Sequence, residues 1–114
     1  MRSIKTLTLE APSMSNRWFS KSYSEAAGRF SIACDSLREN HEVRHERLML
    51  DLSGPEKEPL AIDVAVIGSL KSGKVLLSSS GIHGVEGYPG SAIQLSIMDE
   101  LSKQDSFEDH AVIF

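Results

Sequence analysis

The most constraining feature of the sequence is a strand, a glycine-dense loop, a helix and a second strand that follow one another between residues 74 and 114. Residues 74–78 are a short run of β character, and residues 81–87 contain three glycines. Pro89 suits the first turn of a helix, and residues 111–114 open another strand. Because a strand–helix–strand unit crosses over with its two strands parallel, this stretch predicts an α/β fold.

Upstream of this unit, the pattern predicts one helix and two strands. Residues 22–39 carry apolar side chains at helical spacing, with Ser22 as the N-cap of a capping box. Residues 43–52 alternate between apolar and polar, and residues 60–68 form a strand of strong β character after a turn-rich loop. The short connections predict that these two strands and residues 74–78 form an antiparallel meander at the start of the sheet.

The composition is that of one small globular domain. Hydrophobic residues make up 40% and charged residues 25% of the 114 residues, a balance that allows a small core. The net charge of -4, with scattered lysines and arginines, argues against a nucleic-acid partner. No apolar run has the length of a membrane span or of a signal-peptide core, so the composition predicts a cytoplasmic protein without a membrane partner.

The chain divides into a lead-in and a single domain. Residues 1–20 are polar and mixed, and we interpret them as a lead-in that Trp18 and Phe19 anchor on the body of the domain. Residues 21–114 are interpreted as that domain. The only cysteine, Cys34, lies on the apolar face of the first helix, so we expect a buried side chain rather than a reactive thiol.

His83 and Glu86 form an H-x-x-E pair inside the glycine-dense loop. An imidazole and a carboxylate on a tight loop can converge on one cation, and zinc accepts both donor types. The loop leaves a strand and enters a helix, where open α/β sheets bind ligands. The alternative is a hydrogen-bonded histidine beside a solvated glutamate, and the pair alone leaves both open. The hydroxyls of Ser79, Ser80 and Ser91 are the nearest candidates to support such ligands.

Three other sequence patterns were considered as functional sites, and each is a weaker indication than the H-x-x-E pair. Residues 68–74 match the first seven positions of a phosphate-binding P-loop, but the eighth is Val75 and the following residues favour a strand instead of the required helix. Glu42 and His45, with His41 beside them, are interpreted as a solvated strand edge, since side chains three apart on a strand point to opposite faces. No G-x-S-x-G sequence occurs, so a serine hydrolase is not expected.

The stretch SSGIHGVEGYPGSAIQ, residues 79–94, resembles the first metal-binding motif of the zinc carboxypeptidase superfamily. More closely, it is similar to an uncharacterised bacterial branch of that superfamily, a domain of unknown function with the pattern S-G-x-H-G-x-E-G-x-x-G-S-x-x-Q. Tyr23 and Ala26, in a Tyr-x-x-Ala helix, and residues 59–63, leading into a strand, agree with the same branch. The resemblance covers most of residues 20–114, as the N-terminal portion of such a domain.

The resemblance implies an α/β/α sandwich with a mixed sheet, in which His83 and Glu86 are zinc ligands. It also implies a third ligand, a histidine, and a general-base glutamate, both beyond Phe114. The archetypal carboxypeptidases carry an arginine just before the ligand glutamate, where this chain has Val85, so carboxypeptidase specificity is not implied. In such a site zinc polarises the scissile carbonyl and acidifies a water, whose proton the glutamate takes.

Two classes of function follow from these observations. The first is a zinc-dependent, carboxypeptidase-like hydrolase of peptide or amide bonds, with a deacylase of N-acyl amino acids as an alternative within the class; its substrate would be a small peptide or an N-acyl amino acid. The second is a truncated, inactive remnant or a binding module. That second class predicts an exposed sheet edge and an apolar face, through which the chain would associate with itself.

Overall fold

The computed structural model describes residues 17–114, which build a mixed four-stranded sheet with two helices. Residues 1–16, most of the predicted lead-in, lie outside the described part of the chain. The α/β class and the mixed sheet are therefore as expected. In chain order the elements are α1 (Tyr23–Leu37), β1 (Val43–Ser53), β2 (Pro59–Ile67), a single 3-10 turn (Leu70–Ser72), β3 (Val75–Leu77), α2 (Gly87–Ser102) and β4 (Ala111–Ile113).

The start of α1 is fixed by the residues that the sequence indicated. The side chain of Ser22 accepts a hydrogen bond from the backbone N–H of Glu25, 3.1 Å away. The carboxylate of Glu25 accepts in turn from the N–H of Lys21 at 2.8 Å, one residue before the partner that a reciprocal capping box would use. The helix ends at Leu37, slightly earlier than predicted.

The strand order β1-β2-β4-β3 differs from the predicted meander at its third strand. β1 and β2 form the expected antiparallel hairpin, but β4 lies between β2 and β3, antiparallel to the former and parallel to the latter. The connection after β2 turns away at Gly68, whose φ is 88° and against which Phe107 and the carbonyl of His110 pack. The crossover through α2 thus delivers β4 into the gap, and the predicted parallel β3–β4 pair is confirmed.

Both helices pack on one face of the sheet, where they close the core. Leu37 of α1 and Met98 of α2 are fully or almost fully buried against alternate residues of the two central strands, Ala65 and Ile67 of β2 and Val112 of β4. Cys34 is part of the same cluster, as expected, and burial raises the pKa of its thiol to about 11. At neutral pH this cysteine is an inert core residue.

The other face of the sheet and the β3 edge carry exposed apolar side chains. Leu48 and Ile62, which pair across β1 and β2, are 52% and 51% exposed. The side chains of Val75–Leu77 in β3 are exposed as well. Among residues 17–114 no helix covers this second face, so the described chain contains two layers of the expected three-layer sandwich. Neither described helix has the length and apolarity to cross a membrane.

Our interpretation of a solvated edge at the start of β1 was wrong for His41 and His45, which are packed, whereas Glu42 is exposed as expected. His41 is only 7% exposed, and its Nε2 lies 2.7 Å from the carbonyl oxygen of Leu101 near the end of α2. The side-chain amide of Asn40 donates to the carbonyl of Ser102 at 2.9 Å. The segment between α1 and β1 therefore caps the last turn of α2, whose carbonyls have no partners within the helix.

Arg29 of α1 holds the end of the lead-in on the domain. Its guanidinium donates to the carbonyl oxygens of Trp18 and Phe19 at 3.2 and 3.1 Å. The guanidinium carbon of Arg17 lies 4.4 Å from the centre of the Trp18 ring, and that of Arg29 lies 6.0 Å from it. Anchoring at Trp18 and Phe19 was predicted, but Arg29 supplies the contacts, mostly to backbone, and Phe19 stays 43% exposed.

Candidate functional site

The glycine-dense loop joins the end of β3 to the start of α2, at the carboxyl ends of the parallel strands β3 and β4. This is the edge at which α/β sheets bind ligands. The loop contains both candidate metal ligands, His83 and Glu86, as the sequence predicted. We call Ser78, Ser80, Gly90 and Gln94 the loop base, and residues 82–86 the loop tip.

Gln94 of α2 ties the loop base together. It is 7% exposed, and its side-chain nitrogen donates to the carbonyl oxygen of Ser78 at 2.8 Å. Its side-chain oxygen accepts from the hydroxyl of Ser80 at 2.8 Å. Because each end of a buried amide has a partner, the chain leaving β3 is fixed against α2 at two successive points. The sequence pattern contains Gln94 but gave no sign of this role.

Two glycines of α2 allow the loop to lie close to the helix. A Cβ atom at Gly90 would lie 2.6 Å from the Cβ of Ser80, far inside van der Waals contact. A Cβ atom at Gly87 would lie 3.0 Å from the Cα of Gly81, which itself has a φ of 74°. Since both contacts are with atoms close to the backbone, neither could be relieved by rotating a side chain. The glycines of the pattern therefore serve the close approach of loop and helix.

The loop tip presents its side chains to solvent. Ile82 and Val85 are 72% and 80% exposed, and His83 and Glu86 are exposed as well. Glu86 occupies the N-cap position of α2, and its carboxylate accepts from the N–H of Gly84 at 3.1 Å. Hydrogen bonds from its own N–H and from that of Gly84 lower the pKa of the Glu86 carboxyl. The tip thus holds an ionised carboxylate and an imidazole near one another in sequence and open to solvent.

The two candidate donors of the loop tip are of the types that bind zinc, but they are only two of the ligands that a zinc site needs. An imidazole and an ionised carboxylate are both zinc donors, but a catalytic zinc takes three protein ligands. Within residues 17–114 no three His, Cys, Asp or Glu side chains come together in a metal-binding group. Of the serines considered as support for the ligands, Ser80 instead donates its hydroxyl to Gln94, so it stabilises the loop base.

A cleft of about 370 Å³ lies between α1, the first half of β2 and the loop, and His83 and Gly84 line one side of it. Tyr23 lines the cleft as well, and its hydroxyl accepts from the N–H of Ala61 at 2.8 Å while donating to the carbonyl of Ala61 at 3.1 Å. The resemblance pointed to Tyr23 only as a helix residue. The structure places it in the wall of the same cleft as the candidate ligand His83.

Among residues 17–114, Asp63 is the one carboxylate that lines the cleft. Arg47 lies directly opposite it in the β1–β2 register and donates through Nε at 2.8 Å and through a terminal nitrogen at 3.1 Å. The Nε2 of His45 lies 2.8 Å from the same carboxylate. The side chain of Asp63 is 11% exposed, so it is a paired, largely buried charge. The sequence did not indicate this group, because a register shift between Met49 and Ser53 is what brings residue 47 opposite residue 63.

The comparisons with known proteins place the chain in a family. A family model described as a protein of unknown function, DUF2817, matches residues 19–114. The chain belongs to this family, and the expectation of a domain-of-unknown-function family is confirmed. Neither the curated proteins nor the solved structures gave a match to the chain.

Proposed function

We propose that this chain carries part of the metal site of a zinc-dependent hydrolase of peptide or amide bonds, with His83 and Glu86 as two of the zinc ligands. The observation that carries the proposal is the contrast between a loop base fixed by Gln94 and a loop tip that leaves both candidate ligands exposed beside a cleft. A metal ligand must be held in place from behind while its donor atom stays free.

Zinc, when bound, would polarise the substrate carbonyl and lower the pKa of a coordinated water. In this chain His83 and Glu86 would hold the ion, and the lowered pKa of Glu86 favours the charged form that binds a cation. A third ligand and a general base would come from outside residues 17–114. The substrate would be a small peptide or an N-acyl amino acid, which makes a deacylase the alternative within the same class.

A zinc titration followed by NMR of the histidine rings tests the proposal. The full 114-residue chain, labelled on its histidines and glutamates, is titrated with zinc chloride. We expect the ring signals of His83 to move, and the carboxyl signal of Glu86 to move with them, at concentrations that leave the other three histidines unchanged. Binding should be weak because two protein ligands are fewer than zinc sites normally use.

The matched variants are His83→Ala and His110→Ala, since both histidines belong to loops and neither is buried. Loss of the zinc response in His83→Ala and its survival in His110→Ala supports the assignment. A response centred on His110, or one that persists without His83, rules it out.

A binding module is the second candidate, and the β3 edge favours it. Val75, Leu76 and Leu77 are 49%, 63% and 68% exposed at the end of the sheet, where a strand can pair with another chain. We propose self-association through this edge, to be measured by light scattering across a concentration series. Leu76→Lys should lower the average mass. A mass that stays at one chain for the unsubstituted protein would contradict the proposal.

A further inference from the structure

We propose that the cleft beside His83 is a subsite for an uncharged apolar or aromatic group of the substrate. This inference rests on the proposed hydrolase function and adds to it the kind of substrate. The larger part of the cleft wall is apolar, and this part includes the alanines Ala26, Ala27 and Ala61 together with the rings of Tyr23, Phe30 and Tyr88.

Three of the polar wall residues, Tyr23, Ser80 and Gln94, already have partners within the protein, whereas the hydroxyls of Tyr88 and Ser91 and the His83 ring make no hydrogen bond among the described residues. The hydroxyl of Tyr23 uses both its donor and its acceptor capacity on Ala61. Both ends of the Gln94 side chain, and the hydroxyl of Ser80, are used in the loop base. On the side of Tyr23, Ser80 and Gln94 a ligand group therefore finds these donors and acceptors engaged, and recognition there depends on contact with the apolar walls.

The charge of the cleft leads to the same conclusion. In the described part of the chain, Asp63 is the only wall residue with a permanent charge, and Arg47 and His45 occupy its carboxylate oxygens. A cationic ligand group would have to compete with the Arg47 guanidinium, which makes two bonds to Asp63. An anionic group would meet the Asp63 carboxylate and lose part of its hydration, which is costly. An uncharged apolar group meets neither penalty.

The cleft lies beside the place where the proposed hydrolysis would occur. His83 and Gly84 form part of its wall, so a group bound in the cleft lies next to the proposed ligand His83. A substrate whose amide bond is presented at His83 would place the neighbouring side chain or acyl group in the cleft. The volume of about 370 Å³ lies in the range of small-molecule sites. The predicted substrate is thus a short peptide or N-acyl amino acid with an apolar or aromatic group beside the amide.

Ligand titrations of the full chain without added metal test this subsite. The probes are N-acetyl-phenylalanine methylamide and N-acetyl-leucine methylamide, with the aspartate and lysine counterparts as charged controls. We expect the backbone amide signals of Ala26, Ala27 and Tyr88 to shift with the apolar probes. The charged probes should bind at least about tenfold more weakly, which corresponds to about 1.4 kcal/mol.

Two variants of α1 localise the binding. Ala27→Trp fills the cleft, and Ile32→Trp places the same ring on a side chain that is 67% exposed and lines a separate groove beside Trp18. Ala27→Trp should abolish the shifts, whereas Ile32→Trp should retain them. Ala26→Leu is a smaller filling substitution that should weaken binding even if the tryptophan variant does not fold.

The outcomes separate this inference from the zinc proposal. Equal binding of charged and apolar probes, or shifts centred on the groove beside Trp18, overturns the subsite. A zinc response at His83 with no ligand shifts overturns the subsite and leaves the metal assignment standing. Ligand shifts at Ala27 and Tyr88 without any zinc response support the subsite and contradict the metal assignment.

Discussion

The loop base and the loop tip lie next to each other in sequence but have opposite physical characters. At the base, Gln94 is 7% exposed and Gly90 leaves no room for a Cβ atom against Ser80. At the tip, Ile82 and Val85 are 72% and 80% exposed and make no contribution to the core. The side chains of the loop base hold the backbone in place, whereas the side chains of the loop tip remain available to a ligand.

The sequence pattern at residues 79–94 therefore contains two kinds of residue, those that hold the loop against α2 and those that are exposed to a ligand. Ser80, Gly87, Gly90 and Gln94 are explained by the contacts between loop and helix. His83 and Glu86 are not needed for those contacts, so their chemistry is the better account of their presence. Substitutions at the base should therefore change stability first, and substitutions at the tip should change ligand binding with little effect on stability.

The largest expected effect is at Gly90. Gly90→Ala forces a Cβ to within 2.6 Å of the Cβ of Ser80 and should destabilise the protein by up to about 3 kcal/mol in urea unfolding. Gly28→Ala is the matched control, because no atom lies within 4 Å of a Cβ at this position in α1. It should gain about 0.5–1 kcal/mol from helix propensity. Equal stability of the two variants would show that the base is not tightly packed.

The second largest effect on stability is expected at Gln94. Gln94→Ala removes the partners of the Ser78 carbonyl and the Ser80 hydroxyl, and should cost about 2 kcal/mol in the same unfolding measurement. Gln104→Ala, at an exposed glutamine past the end of α2, should change stability by less than about 0.5 kcal/mol. A cost at Gln94 no larger than at Gln104 would remove Gln94 from the base.

The bond between Ser80 and Gln94 should appear as a coupling of about 1 kcal/mol in a double-mutant cycle. The cycle compares the unfolding free energies of Ser80→Ala, Gln94→Ala and the double variant. Because the single variants each break the same 2.8 Å bond, their effects should sum to more than that of the double variant. Strict additivity would mean that the two side chains act independently.

At the tip, His83→Ala should leave the unfolding free energy unchanged within about 0.5 kcal/mol. The same variant should lose the zinc response described above. Val85→Ala serves as the control for the tip, since it removes an 80% exposed side chain without a metal donor and should keep the zinc response. A marked loss of stability in His83→Ala would mean that the tip is structural, and the division from the base would fail.

The smallest effect concerns the pH dependence of Glu86. Because its pKa is lowered by hydrogen bonds from its own N–H and that of Gly84, its carboxyl signal in NMR should titrate below the ordinary value of 4.5. A lowered pKa in the folded state contributes stability above the ordinary value and loses it as the pH falls through the lowered value. A midpoint at or above 4.5 would show that the bond to Gly84 does not persist in solution.

Local features of the fold were predictable from the sequence. Ser22 caps α1 because its hydroxyl needs only the N–H of a residue three positions away. Cys34 is buried because helical spacing alone places it on the apolar face. The position of His83 and Glu86 after a strand and before a helix followed from the same kind of short-range pattern.

Features that depend on distant partners were missed. The short connection after β2 suggested that β3 pairs with it, yet β4, more than thirty residues further on, occupies that place. His41 was interpreted as a surface residue because its partner, the Leu101 carbonyl, belongs to another element and is distant in sequence. The roles of Gln94 and Gly90 depend on how closely the loop approaches α2, and spacing within the pattern does not reveal that distance.

The hydroxyl of Tyr23 bears on the tendency of the protein to aggregate. Ala61 lies outside the part of β2 that bonds to β4 and Phe114, and free amide groups on such a strand end are a template for amyloid-like stacking. The Tyr23 hydroxyl occupies the N–H and the carbonyl of Ala61 together, so that position of β2 is closed to incoming strands. Phenylalanine in its place would keep the ring and reopen the template. A single oxygen atom thus removes one donor and one acceptor from the open end of β2.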